Sequence, residues 1–152
     1  HFVPGEPEVQ TLELLRRKPV VLVRHGHPLG TRAVTAKRLA AQLHVDVQRR
    51  SRAPSPVDVV LADLGLAREI VLTVAQSNVA ALVAARSDFV AILSEHLARA
   101  MAPSMGLTVL PLAFSVEPEP MVLAWHPRHN ADQAHALLRR LLLKQVGATR
   151  GE

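Results

Sequence analysis

Apolar residues recur along this chain in two rhythms, one belonging to strands and the other to helices. Residues 20–23 (Val20, Val21, Leu22, Val23) are an unbroken apolar run, the pattern of a strand covered on both faces. Behind Thr35, a candidate cap, Leu39, Ala40 and Leu43 fall on one helical face opposite Lys37, Arg38 and Gln42, predicting a short helix over 36–43 and then a strand over 44–48. Ser55-Pro56 reads as a helix start: a serine oxygen for the free N–H groups, a proline with preset φ, and Asp58 near the positive end of the dipole. Val57, Val60, Leu61 and Leu64 then predict one buried stripe, closed by Gly65.

The stretch 64–98 organises the rest as strand, polar loop, helix, strand and helix start. Residues 69–74 and 88–93 are apolar runs expected to be buried, and residues 79–85 form the compact helix between them. Ser77 or Asn78 is expected to cap that helix, and Ser94 the next one, which runs to about Ala102 and stops at Pro103. Pro111 makes 107–112 an edge or crossover strand. Glu117-Pro118-Glu119-Pro120 is a stiff connection, residues 121–126 a strand, and Asn130 with Gln133 a capping-box start to a last helix with Ala134, Leu137, Leu138, Leu141 and Leu142 on its apolar face. At the amino end, residues 1–9 have no periodicity, and residues 11–18 suit one or two helical turns. Alternating strands and helices make this an α/β chain.

Composition narrows the function classes. With 152 residues and 49% apolar content the chain can bury a core, and without cysteine it has neither disulfides nor thiolate chemistry, which fits the cytoplasm. No apolar stretch approaches the roughly 20 residues that span a bilayer. The net charge of +5 raises nucleic acid as a partner, but all but three of the 18 basic residues are arginines spread along the chain and only 3% of residues are aromatic, so there is no stacking platform. The eight histidines show no metal-ligand spacing, no cofactor motif is present, and Ser77 lacks the glycines of a nucleophile elbow.

Four segments in order carry a family likeness: Arg24-His25-Gly26-His27-Pro28-Leu29 after a strand; Asp63-Leu64-Gly65-Leu66; Leu72-Thr73-Val74 through Ser87-Asp88 to Leu97-Ala98; and Leu123-Ala124-Trp125-His126-Pro127-Arg128 with a closing helix. Together they resemble the effector-binding domain of LysR-type transcriptional regulators, in the branch typified by regulators of nodulation genes. The resemblance implies a periplasmic-binding-protein-like (type 2) α/β fold in which two lobes close over a small effector. It implies a second lobe nearly complete and a first lobe truncated: residues 1–18 a lead-in and connector, 19–28 a crossover strand, 29–112 the second lobe, 113–146 a return segment to the first lobe, and 147–152 a tail. No helix-turn-helix segment is present, so DNA contact is expected only through a missing amino-terminal domain. An effector sensor of this kind performs no chemistry.

The positions that face the effector carry over in part. Relatives have Pro-x-Phe where this chain has Ala75-Gln76-Ser77, a smaller and more polar wall. Gln48 and Arg49 after one strand, and Gln76, Ser77 and Asn78 at the start of a helix, are the candidate ligand-binding residues; ordinary loop and cap chemistry is the alternative for all five. A small carboxylate is one chemistry they suit, since Arg49 can pair with it in bidentate fashion. The truncated lobe is expected to expose the leucine face of the last helix and favour a homodimer or larger assembly. A competing reading is a histidine phosphatase with His25 as nucleophile and Arg24 as phosphate ligand, though the second His-Gly element of such enzymes is replaced by His126-Pro127 and His129-Asn130.

Overall fold

The computed structural model describes residues 9–48 and 53–149 in two compact units, Arg17–Pro118 and the described parts of residues 1–16 and 119–152. The larger unit is built on a five-stranded sheet. Its strands are β2 (Pro19–Arg24), β3 (Leu43–Val47), β4 (Glu69–Val74), β5 (Val90–Ser94) and β6 (Leu107–Leu110), in spatial order β4-β3-β5-β2-β6. β3 runs parallel to β4 and β5, whereas β2 runs antiparallel to β5 and β6. Helices α1 (Ala36–Ala40), α2 (Pro56–Asp63), α3 (Ser77–Ala85) and α4 (Glu95–Met105) complete the unit.

Both faces of β2 are covered, which is why residues 20–23 show no alternation. Val20 and Leu22 join Ala80, Ala81 and Ala84 of α3 and Ala98 and Ala102 of α4. Val21 and Val23 point the other way, to Leu39 of α1 and Val57 and Leu61 of α2. All four β2 side chains are at most 2% exposed. Each contributes about 1.5–3 kcal/mol by leaving water.

Several sequence expectations need correction. The run 69–74 is a strand, but it lies at the edge of the sheet with Ile70, Val71 and Leu72 45%, 41% and 39% exposed: among the described residues no strand pairs with its outer side, and a register shift in its pairing with β3 falls at this point. Leu64 is likewise exposed, so the α2 stripe narrows to Val57 and Leu61. α4 continues through Pro103 and closes at Gly106, whose φ of 65° is the left-handed conformation that favours glycine. The helical turns expected over 11–18 do not form: the segment is strand β1 (Gln10–Arg17), because it pairs with β7 (Glu119–Trp125) in a separate two-stranded sheet. The last helix, α5 (Gln133–Thr149), is capped by Asp132, whose carboxylate accepts from the Ala134 and His135 amides, while Asn130 accepts from the Trp125 indole.

Between α2 and the sheet lies a polar cluster that hydrophobic patterning does not reveal. Arg68, with 3% of its side chain exposed, donates through Nε and Nη2 to the two oxygens of Asp58 at 2.5 and 3.0 Å and through Nη2 to Asp46 at 3.0 Å. Ser55 caps α2 by accepting from the Asp58 amide and donates its own hydroxyl to that carboxylate. Burial works against the charges of Asp58 and Arg68, but their mutual bonds outweigh it: the Asp58 pKa is lowered and that of Arg68 raised. His44, fully buried on β3, pairs its Nε2 with the Leu39 carbonyl. Burial lowers its pKa, and the nearby Arg68 charge adds to this, so it is held neutral.

Two predictions follow from these shifts. The unfolded chain binds a proton at His44 below about pH 6.5, before the folded chain does, so stability should fall as pH drops below that value; Asp58, held ionised by Arg68, should add a further loss below about pH 4. Urea unfolding at pH 7.5 and 5.5 should show the first loss, and His44→Gln should flatten it. Arg68→Met leaves Asp58 and Asp46 without their cation and should cost about 3 kcal/mol, read from the same unfolding curves.

Candidate functional site

Three parallel strands of the larger unit end at one edge of the sheet. β3 pairs with β4 as far as Val47–Val74, and the Gln48 amide continues the ladder by donating to the Val74 carbonyl at 2.8 Å. The register of β3 on β5, His44 with Val90 and Val45 with Ala91, carries the carboxyl end of β5 to the same edge. Because β2 is reversed, it begins there: Pro19 lies opposite Ser94, and the Glu95 amide donates to the Lys18 carbonyl at 2.8 Å.

Two helices start at this edge without a side-chain bond from the residue in the cap position. Gln76 occupies the cap position of α3 in extended conformation, and Ser94 that of α4, yet neither makes a side-chain cap bond. The expected caps therefore have other geometry: Ser77 lies in the first turn of α3, and Asn78 accepts only from the next amide, that of Val79, at 3.0 Å. The first turn of α3 holds no acidic residue to offset its partial positive charge. Ala80 and Ala81 behind it are fully buried, so this turn sits directly on the core.

The predicted residues thus converge in part. Gln48 hydrogen-bonds beside Val74, two residues before Gln76, and Gln76, Ser77 and Asn78 form one turn; Gln48, Gln76 and Asn78 are exposed and Ser77 half-buried. Arg49 lies outside the described residues. Ser94 and Lys18, which the sequence does not single out for a site, lie at the same edge. A serine between a strand and a helix reads as a cap from sequence, but Ser94 makes no side-chain cap bond. Lys18 is brought to the edge by the pairing of β2, and its ammonium lies 3.9 Å from Glu95.

Arg24 and His25 stand at the opposite end of β2, where Arg24 pairs with Leu107 of β6. The Arg24 guanidinium is engaged by Asp88 at 2.6 Å and by the His25 carbonyl, and the His25 ring bonds the Thr108 hydroxyl at 2.9 Å. His27 is buried and satisfied: its Nδ1 accepts from the Leu29 amide, so its Nε2 donates to the Asp88 carbonyl. These residues pin the end of β2 to its neighbours, and nothing in their arrangement supports the phosphatase reading. Among the described residues no group of three or more His, Asp or Glu side chains is placed to hold a metal ion, and no helix is long and apolar enough to cross a membrane.

Comparison with known proteins agrees with this architecture. The family model described as LysR substrate binding domain matches residues 1–147. The HTH-type transcriptional activator NahR of Pseudomonas putida is 27% identical over 140 residues, 90% of this chain and 47% of NahR, so the chain spans about half the length of that relative. The solved structure of the probable transcriptional regulator PA0477 from Pseudomonas aeruginosa superposes with a TM-score of 0.75 at 27% identity, covering 96% of this chain and 47% of that one. The effector-binding domain of QuiR in complex with shikimate matches in fold, with a TM-score of 0.76 at 17% identity over 97% of this chain and 69% of that one. The reversed strand in a parallel sheet and the helix starts gathered at one edge belong to the periplasmic-binding-protein-like type 2 α/β fold, and the chain is a member of the LysR substrate-binding domain family.

Proposed function

We propose that this chain is the effector-sensing part of a transcriptional regulator, and that its larger unit binds a small-molecule effector at the edge formed by Gln48, Gln76, Ser77, Asn78 and Ser94. The carrying observation is the pair of helix starts, at Gln76 and Ser94, left without side-chain caps beside the end of β3. The first turn of α3 carries a partial positive charge that no acidic residue offsets, which favours a carboxylate oxygen. Family membership and the shikimate complex of QuiR support an effector role. In this reading residues 19–28 are the crossover, 29–112 the second lobe and 113–146 the return to the first. The signal passes in the full-length regulator to a helix-turn-helix domain in the cytoplasm, and this part performs no catalysis.

Titration of the isolated chain with small carboxylates, shikimate among them, tests the site through backbone amide shifts. Shifts should gather at Gln48, residues 76–80 and Ser94, with a dissociation constant near or above millimolar, about −4 kcal/mol. Gln76→Glu, which places a negative charge at the helix start, should weaken binding about tenfold. Shifts gathered elsewhere, with residues 76–80 unmoved, would reject the site.

We further propose that the chain self-associates. Leu137, Leu138 and Leu141 on α5 are 47%, 53% and 55% exposed, and β4 presents Ile70, Val71 and Leu72. Apolar surface of this extent drives association. Light scattering at rising concentration should report a dimer or larger species; a monomer throughout would sink the proposal.

A further inference from the structure

In the smaller unit, the turn between β7 and α5 gathers two arginines and two histidines. His129, in the 3₁₀ turn Pro127–His129, and His135, in the first turn of α5, stack with ring centroids 4.9 Å apart and planes 13° from parallel. Arg128 Nε lies 3.2 Å from His129 Nε2, and Arg139 Nη1 lies 2.7 Å from His135 Nδ1. A guanidinium only donates, so both imidazole nitrogens are acceptors, and the tautomers follow: the ring protons sit on His129 Nδ1 and His135 Nε2. The Arg139 guanidinium lies 4.8 Å from the centre of the Trp125 ring and also reaches the His129 carbonyl, while the Trp125 indole is held by Asn130.

Arginine side chains usually meet carboxylates, yet among the described residues neither Arg128 nor Arg139 does. The nearby acid, Asp132, is turned into the start of α5, where it accepts from the Ala134 and His135 amides. The remaining polar hydrogens of the cluster, on the Arg128 Nη atoms, Arg139 Nε and Nη2, His129 Nδ1 and His135 Nε2, are all donors, and among the described residues the arginines bring two charges without a carboxylate partner. The complement of such a group is a dianion with several acceptor oxygens. We propose that Arg128, His129, His135 and Arg139 form a binding site for a phosphate-type oxyanion, separate from the effector edge of the larger unit.

Trp125 is the only tryptophan in the chain, so its fluorescence reports on the cluster directly. The test titrates the whole chain with inorganic phosphate at pH 7.5 and constant ionic strength, with chloride, acetate and a duplex oligonucleotide in parallel. Phosphate should give a saturable change, chloride none, and acetate a weaker response. Arg128→Gln removes an exposed guanidinium while leaving Arg139 over the indole, and should weaken phosphate binding about tenfold, one charge-assisted contact. Arg140→Gln, one position along α5, should leave it unchanged. A phosphate response no different from chloride, full affinity in Arg128→Gln, equal binding of acetate, or a response to the duplex alone would each overturn the assignment. Unfolding curves of both variants separate a lost contact from a lost fold.

Discussion

The burial of β2 on both faces is the constraint on which the larger unit depends. A strand in the middle of a sheet with helices above and below contributes side chains to two cores at once, and Val20 to Val23 do so in alternation. Its direction matters equally. The parallel strands β3, β4 and β5 send their carboxyl ends to one edge, and the reversed β2 brings Lys18 and Pro19 there from the other side. The candidate effector site is thus a product of topology before it is a product of particular side chains.

Much of this was legible in the residues. The Val-Val-Leu-Val run and the Ser55-Pro56 start each have one physical reading, and both readings hold in the structure. The ordered motifs were enough to place the chain in its family. What remained hidden was context. An apolar run such as 69–74 looks the same whether a sheet continues beyond it or stops, and among the described residues it stops here. Gln133 suggested a capping box with Asn130, but Asp132 is the nearer acceptor and Asn130 is drawn to the Trp125 indole. Residues 11–18 carry a pattern that suits helical turns, and a pairing partner more than a hundred positions away makes Gln10–Arg17 a strand.

The candidate site was legible only to the extent that its residues adjoin in sequence. Gln76, Ser77 and Asn78 form one turn, and Gln48 joins them through a single ladder bond. Ser94 and Lys18 depend on strand register, which no local pattern encodes. Similarly, the Arg68 cluster unites residues from three separate segments, and in sequence its aspartates resemble any surface acid.

The doubly covered strand also has a weakness. When one face of a strand is polar, a slip of one residue turns apolar side chains into water and is strongly opposed; in β2 a slip merely exchanges one small apolar residue for another on either side. Hydrophobicity therefore holds β2 in the sheet without telling it where to stop along its own axis. That information lies at its ends: in the grip of Asp88 on Arg24 at one, and in the Glu95 amide bound to the Lys18 carbonyl at the other. The greasiest segment of the molecule is indexed by its polar termini.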